Sequence, residues 1–475
     1  MTASPALPAL ASREPASPLV AVLWTGFVLV CLFYAVLAAD YFISFAAGRE
    51  ALWLRLMAAV VGEDYAFGAG SVHRQQHAAY SAGLPFMLMH TTLAAIAMAL
   101  GPFQFMRGLR ARRPALHRAM GKIYLLAELF SMSGGLIYLG ITGLYGVYTG
   151  APFALGLWGL NAMVLWTGWE AYRAIRRGEV AQHRAWLAYN FGLLLTAPGL
   201  RILWVLYGLA LPGWSQADTN LAITTYLLPL CAMVGLLWLS AEQWPAAAAE
   251  RAVPPRWLAP FARGLGLLGV LLLMDQFLLR WSDPTGPFGS QAAATVLAHE
   301  TAAIARWRAL FMLYLAAMLA VCVLGPALLA NAQRLRQRLT VYLHCSAAAA
   351  LSGMAIGTVL GTTAAGGLSM PSFWWGMGLL WCVCLGLMWL ARRRGAWALV
   401  QQWLIMSHGI ALAPALWLLG APLLRGALDL SPQDAWLTAA FGGFAVIFLL
   451  AHALNVRGLG RAAAREPVLN SPLTV

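Results

Sequence analysis

Twelve apolar stretches recur along this chain of 475 residues, near 19–39, 83–105, 120–143, 153–174, 186–209, 223–242, 257–279, 308–330, 339–362, 373–391, 398–419 and 435–455. Each is close to the roughly 20 residues that carry a helix, at about 1.5 Å per residue, through the hydrocarbon of a bilayer. No water is there to satisfy a backbone N–H or C=O, so each stretch must close its hydrogen bonds internally, as a helix does. The expected fold is therefore all-α, a polytopic membrane protein of about 12 transmembrane helices. Composition agrees: 61% of residues are hydrophobic and 10% charged, against about a quarter charged in soluble domains. An ordinary soluble enzyme is excluded. The 21 Trp residues suit a protein whose indoles anchor helices at both membrane interfaces.

The net charge of +14 is a topology signal rather than a nucleic-acid footprint. With the N-terminus inside, 22 basic residues fall on cytoplasmic segments, including Arg107–Arg118, Arg173–Arg184, Arg334–Arg338 and Arg392-Arg393-Arg394, and seven fall outside. That asymmetry places both termini in the cytoplasm of a bacterial inner membrane and directs the arginines to anionic phospholipid headgroups. No nucleic-acid partner is expected. Residues 1–18 and 456–475 read as cytoplasmic tails, the first disordered.

Two six-helix halves, 19–242 and 257–455, share short signatures. Leu100-Gly101-Pro102 corresponds to Leu324-Gly325-Pro326, Trp158-Gly159 to Trp375-Gly376, and Ala197-Pro198 to Ala413-Pro414. Six helices per half is an even number, so the repeats would insert in parallel. Residues Glu50–Val61 carry apolar residues at helical spacing and read as an interfacial helix, with 288–305 as its counterpart. The six cysteines all lie in apolar segments without C-x-x-C spacing, so no zinc or redox dithiol is expected.

Gly101-Pro102-Phe103-Gln104-Phe105, then Leu116-His117-Arg118 with Gly121-Lys122-Ile123-Tyr124, then His183-Arg184-Ala185-Trp186 and Arg201, follow in order along residues 80–210. This run resembles the bacterial predicted-membrane-protein family catalogued as domain of unknown function 2306. The resemblance implies a helical membrane domain and no established reaction. A looser likeness to haem-binding four-helix membrane cytochromes rests on histidines at helix ends.

Ionisable groups inside hydrocarbon are costly and mark candidate sites. His90 stands seven residues into the second stretch and Arg201 eight from the outer end of the fifth, so the two share a depth of roughly 10–12 Å. Arg201 needs an anionic or carbonyl partner; Asp40, Glu63, Asp64 or a bound anion are the outer candidates. His117 and His183 share a level at the inner end, where neutral imidazoles could take both axial positions of a haem iron. The blander reading is helix-end anchoring at lipid headgroups. Glu128, with Glu170 and Asn190, forms an inner polar cluster, in which Glu170 is placed to pair with Arg173 at i+3. His73 and His77 offer two metal ligands without a third. His299, His344, His408 and His452 form no pattern. The second half has Tyr314 near the His90 position and no arginine matching Arg201, so one site, in the second to fifth helices, is expected.

The preferred functional reading is a haem b- or quinone-binding electron-transfer component, which implies a redox partner. His90, His117, His183, Arg201 and Glu128 would contact the cofactor, and His117 and His183 would hold the metal. The alternatives are a multi-pass transporter, with helices broken at Gly101-Pro102 and Ala197-Pro198, or an accessory protein without chemistry of its own. No nucleotide-binding loop, zinc-protease motif or nucleophile elbow specifies an enzyme.

Overall fold

The computed structural model describes residues 18–243, 255–275, 302–361 and 369–463. Among them the chain is helical with no strand, as an all-α membrane protein requires. The first half comprises α1 (Pro18–Ala46), the short helices α2 (Leu52–Val61), α3 (Glu63–Phe67), α4 (Val72–Gln75) and α5 (His77–Ala82), then α6 (Leu84–Gln104), α7 (Arg107–Arg112), α8 (Pro114–Gly146), α9 (Ala151–Arg176), α10 (Val180–Leu194), α11 (Thr196–Ala210) and α12 (Gln216–Gln243). The second comprises α13 (Leu258–Met274), α14 (Arg308–Ala330), α15 (Ala332–Gly361), α16 (Ser369–Arg393), α17 (Trp397–Leu428) and α18 (Pro432–Ala463).

Ten helices among the described residues are long and apolar enough to cross a membrane, with α10 and α11 together forming one of them. They lie at ten of the twelve positions expected. Helices also occupy the other two positions. In α9, Asn161, Thr167, Glu170 and Arg173 dilute the apolar character, and α13 has 17 described residues. The expected tails up to residue 17 and beyond 463, His299, and residues 288–301 of the expected second interfacial helix lie outside the described residues.

Within each half, helices pack mainly on their chain neighbours: α6 on α1 and α8, α9 on α8 and α10, α10 on α12, and α14 to α18 in succession. The halves join where α9, α10 and α12 meet α18, and where α12 meets α16. At that seam the buried His452 ring stacks on Tyr189 at 4.4 Å and meets the edge of Trp186 at 5.0 Å. Glycine makes the α10–α12 crossing possible. A Cβ on Gly192 would stand 2.7 Å from the Cys231 carbonyl, and one on Gly235 would stand 2.6 Å from that of Ala188. Backbones this close gain van der Waals contact that larger residues would hold apart.

Two local features shape the functional region. The fifth apolar stretch, expected as one helix over 186–209, divides at Leu195 into α10 and α11. Pro198 accounts for the division, because it lacks an N–H and its ring collides with the carbonyl four residues earlier. Gly101-Pro102 behaves differently from the mid-bundle break considered above. Pro102 lies in the last turn of α6, which continues to Gln104. The second feature is the connection 47–83, folded over one end of the bundle. Asp40 fixes its start, accepting from the Leu52 N–H at 2.6 Å and from the Ser44 hydroxyl at 2.9 Å. The expected interfacial helix forms as α2, burying Leu54 and Met57 while exposing Leu56 and Val60. Further along, the Val72 N–H donates to Gln216 Oε1, and the Tyr65 hydroxyl donates to the Trp204 carbonyl, both at 2.9 Å. These bonds tie the connection to α11 and α12.

Candidate functional site

Beneath that connection lies a cavity of about 240 Å³. Its walls come from α1, the connection, α6, α8, α9, α10, α11 and α12, with Phe441 of α18 reaching in from the other half. Most of the lining is apolar or aromatic. Its polar groups include His90, Arg201, Gln76, Asn161 and the phenols Tyr41, Tyr80, Tyr138 and Tyr148.

His90 and Arg201, matched only by depth in the sequence, line this one cavity. The cause is local. A Cβ on Gly134 would stand 2.7 Å from the Phe86 carbonyl, so glycine lets α6 lie close against α8. His90 Nδ1 then reaches the Ser131 carbonyl at 2.9 Å, while the Ser131 hydroxyl donates to the His90 carbonyl at 2.8 Å. A carbonyl only accepts, so the Nδ1 carries the proton and Nε2 is the acceptor nitrogen. Asn161 approaches the same point, since a Cβ on Gly135 would lie 3.1 Å from both His90 Nδ1 and Asn161 Oδ1. The amide of Asn161 donates to its own helix, at the Leu157 carbonyl, leaving the buried Oδ1 without a hydrogen-bond partner.

Arg201 enters from α11, just past the break at Leu195. Among the described residues no carboxylate forms an ion pair with it. Asp40, one of its expected partners, is engaged by Leu52 and Ser44. The guanidinium lies over the Trp204 ring at 5.1 Å from the centroid and makes one long contact, 3.4 Å, with the Ala197 carbonyl of its own helix. Its charge is close enough to act on His90, Tyr41 and Tyr80. Most of its five donors are thus available to a ligand in the cavity.

Sequence reasoning missed the phenols and Gln76. The Tyr138 hydroxyl donates to Gln76 Oε1 at 2.9 Å, and the Gln76 amide donates to the Gly146 carbonyl at 3.1 Å. Tyr148 donates to the Gly70 carbonyl at 2.7 Å. A signal for part of this existed. Tyr124, Glu128, Ser131, Gly135 and Tyr138 are spaced by four, three, four and three residues, which puts them on one face of α8. All five are buried.

The inner polar cluster forms around Glu128, which is 2% exposed. The Asn190 amide donates to Glu128 Oε1 at 2.5 Å and lies 3.0 Å from the Val164 carbonyl and 3.1 Å from Thr167 Oγ1. Tyr124 donates to Asn190 Oδ1 at 2.6 Å. Glu170 stands apart from this group, paired with Arg173 at 2.8 Å toward the C-terminal end of α9.

His117 lies at the arginine-rich end within reach of the charge of His183, and both feel that of Arg110. His183 Nδ1 donates to the Ala171 carbonyl at 2.9 Å; His117 Nδ1 is buried without a hydrogen-bond partner. The rings of His73 and His77 stand 6.3 Å apart in the connection. Among the described residues no group of three or more His, Cys, Asp or Glu gathers to hold a metal ion.

Residues 87–239 match the family model described as "Predicted membrane protein (DUF2306)". No curated protein and no solved structure matches the chain. The matched stretch includes His90, His117, Glu128, His183 and Arg201, whereas the cavity walls contributed by Tyr41, Gln76, Tyr80 and Phe441 lie outside it. From α6 into α12, this chain is therefore similar to the predicted membrane protein family DUF2306.

Proposed function

We propose that the first half of this protein binds the head group of a quinone-type ligand in the cavity beneath the 47–83 connection. One observation carries the reading: a guanidinium without a carboxylate partner among the described residues and a histidine with an acceptor nitrogen line the same aromatic cavity. Arg201 supplies a planar fork of donors for a ring carbonyl or anionic oxygen. His90 Nε2 accepts from a ring hydroxyl, so oxidised and reduced rings each find a partner. The phenols and Trp204 provide faces for a flat ring. At about 240 Å³, the cavity lies below the roughly 300–1,000 Å³ usual for drug-sized ligands. That volume suits one substituted ring whose tail extends into lipid.

The positive-inside asymmetry supports a bacterial cytoplasmic membrane with both termini inside, and the cavity then faces the outer leaflet. Reporter fusions after Arg110 and Arg394 should report cytoplasm, and one after Gly150 periplasm; any swap breaks this topology. Twelve spans in two parallel repeats remain the organisation best supported by the paired sequence signatures.

The binding test is quenching of tryptophan fluorescence by a short-chain quinone, with the protein in lipid nanodiscs. Wild type should saturate, and Arg201→Lys should weaken binding at least tenfold, about 1.4 kcal/mol, because lysine lacks the fork. Equal binding by the two proteins would overturn the assignment of Arg201.

The haem reading has its own observation. A ligating histidine normally donates its second ring nitrogen to a carbonyl or carboxylate, and His183 donates Nδ1–H to Ala171 in that manner. A visible absorption band lost in His117→Ala and retained in Arg201→Lys would decide for haem. A colourless protein with intact quinone binding decides for the cavity.

A further inference from the structure

The core of the first half holds two ionisable groups that lack a partner of opposite charge among the described residues. Arg201 has no carboxylate, and Glu128 has no cation. The groups facing Glu128 are Tyr124 on its own helix, Thr167 and Gly168 on α9, and Asn190 on α10. Between His90 and Gln104, α6 carries no ionisable residue. His183 lies seven residues before Asn190 on α10, roughly 10 Å along the helix axis.

The two groups belong to one connected region. Val164 is part of the cavity lining, and its carbonyl faces the Asn190 amide that donates to Glu128. Ser131, the partner of His90, is one turn from Glu128 on the same face of α8, roughly 4.5 Å along the axis. Polar groups therefore run from the Glu128 network to the cavity. In a medium of low dielectric, uncompensated charge is costly and charges act on each other over long distances.

We propose that Glu128 is a proton-binding carboxyl coupled to the cavity, taking up a proton when an anionic head group binds at Arg201 and releasing it when that ligand leaves. The inference rests on the cavity being a ligand site and deepens that reading. With Arg201 alone, an ionised Glu128 balances the charge of the core. When an anion neutralises Arg201, Glu128 becomes the uncompensated charge, and protonation removes it. One O–H bond forms at the carboxyl, the proton comes from water, and no electron moves. The ligand class is then a ring oxygen that is anionic in one of its states, as in an acidic hydroxyquinone.

The probes are a hydroxynaphthoquinone, ionised at neutral pH, and its uncharged methoxy analogue, titrated calorimetrically into the protein in nanodiscs. Runs in buffers of different ionisation enthalpy count the protons exchanged. Wild type should bind both, with proton uptake for the hydroxy compound alone. Its affinity should fall as pH rises, by at most tenfold per pH unit for one linked proton. Glu128→Gln, nearly isosteric and neutral, should still bind both compounds with uptake abolished. Infrared difference spectra supply a ligand-free control: on acidification, wild type minus Glu128→Gln should leave one carboxylic-acid carbonyl band, that of Glu128, above the bands the other acids give in both proteins. Unchanged uptake in Glu128→Gln assigns the proton to another group, such as His90, and overturns the proposal. Binding of neither compound overturns the ligand site itself, a distinct outcome.

Discussion

The two halves of the molecule use similar helices to opposite ends. In the first, α10 and α11 separate at Leu195, ahead of Ala197-Pro198, and a cavity of about 240 Å³ lies alongside. In the second, α17 passes through Ala413-Pro414 as one continuous helix of 32 residues. The space lined there by Tyr314, Phe373, Trp374, Trp381, Trp417 and Phe444 holds about 30 Å³. Proline alone therefore does not open a cavity. Aromatic rings fill the second bundle, with Trp417 packed edge-on to Trp436 at 4.6 Å. The first bundle instead has Arg201 one turn past its proline, and a guanidinium is a poor substitute for a buried ring. His408 is buried too, its ring packed against Gly325. The contrast is what the proposed function expects of a scaffold half and a binding half.

The sharpest way to break this comparison is to remove the cation. Arg201→Leu should lower quinone affinity about a hundredfold, close to 2.7 kcal/mol, whereas Arg425→Leu in the second half should leave it unchanged. Comparable losses from both would mean that the effect travels through overall stability rather than through a site.

A smaller effect separates the packing of the halves. Gly192→Ala places a methyl group 2.7 Å from the Cys231 carbonyl and 2.8 Å from the Gly235 nitrogen, an overpacking that should cost about 1–3 kcal/mol. Gly420→Ala meets only the Ala439 Cβ at 3.4 Å and should be neutral or stabilising by about 0.5–1 kcal/mol, since alanine favours helix. Thermal unfolding in detergent ranks the two; the reverse order would show that the α10–α12 crossing is not tight.

The connection over the cavity should respond to acid. Burial, together with the charge of His77, holds His73 below the ordinary imidazole value of 6.5, with Glu50 opposing. The unfolded connection thus binds more protons than the folded one as pH falls through that value. Its stability is complete above the ordinary value and declines on the acid side. Amide hydrogen exchange across 47–83 should quicken between about pH 7.5 and pH 5.5, after correction for the intrinsic rate, and His73→Gln should flatten the response. The smallest effect is expected from Glu170→Ala, which removes only the i,i+3 pair with Arg173 and should change stability by about 0.5 kcal/mol or less.

The helical membrane fold was legible in the sequence because apolar length is a direct physical requirement of the bilayer. Counting residues along two helices put His90 and Arg201 at one level, and both line the cavity. The partners were not legible. Asp40 was one of several candidate partners for Arg201, with Glu63, Asp64 and a bound anion, but the connection folds back so that Leu52 and Ser44 occupy it, an outcome of tertiary path rather than spacing. Gln76 and Tyr80 reach the cavity from a segment that reads as a loop, and Phe441 comes from the other half. Glu128 could be singled out by depth, while its amide partner Asn190, 62 residues away, was grouped with it only by level.

The central claim is that ligand binds in the first half and not the second, and photoaffinity mapping tests it most directly. An azido-substituted short-chain quinone, activated in wild-type protein in nanodiscs and mapped by peptide mass spectrometry, should label Tyr41, Tyr138 or Trp204, and excess unlabelled quinone should suppress that labelling. Competable labelling at Trp374 or Trp417, with none in the first half, would contradict the account.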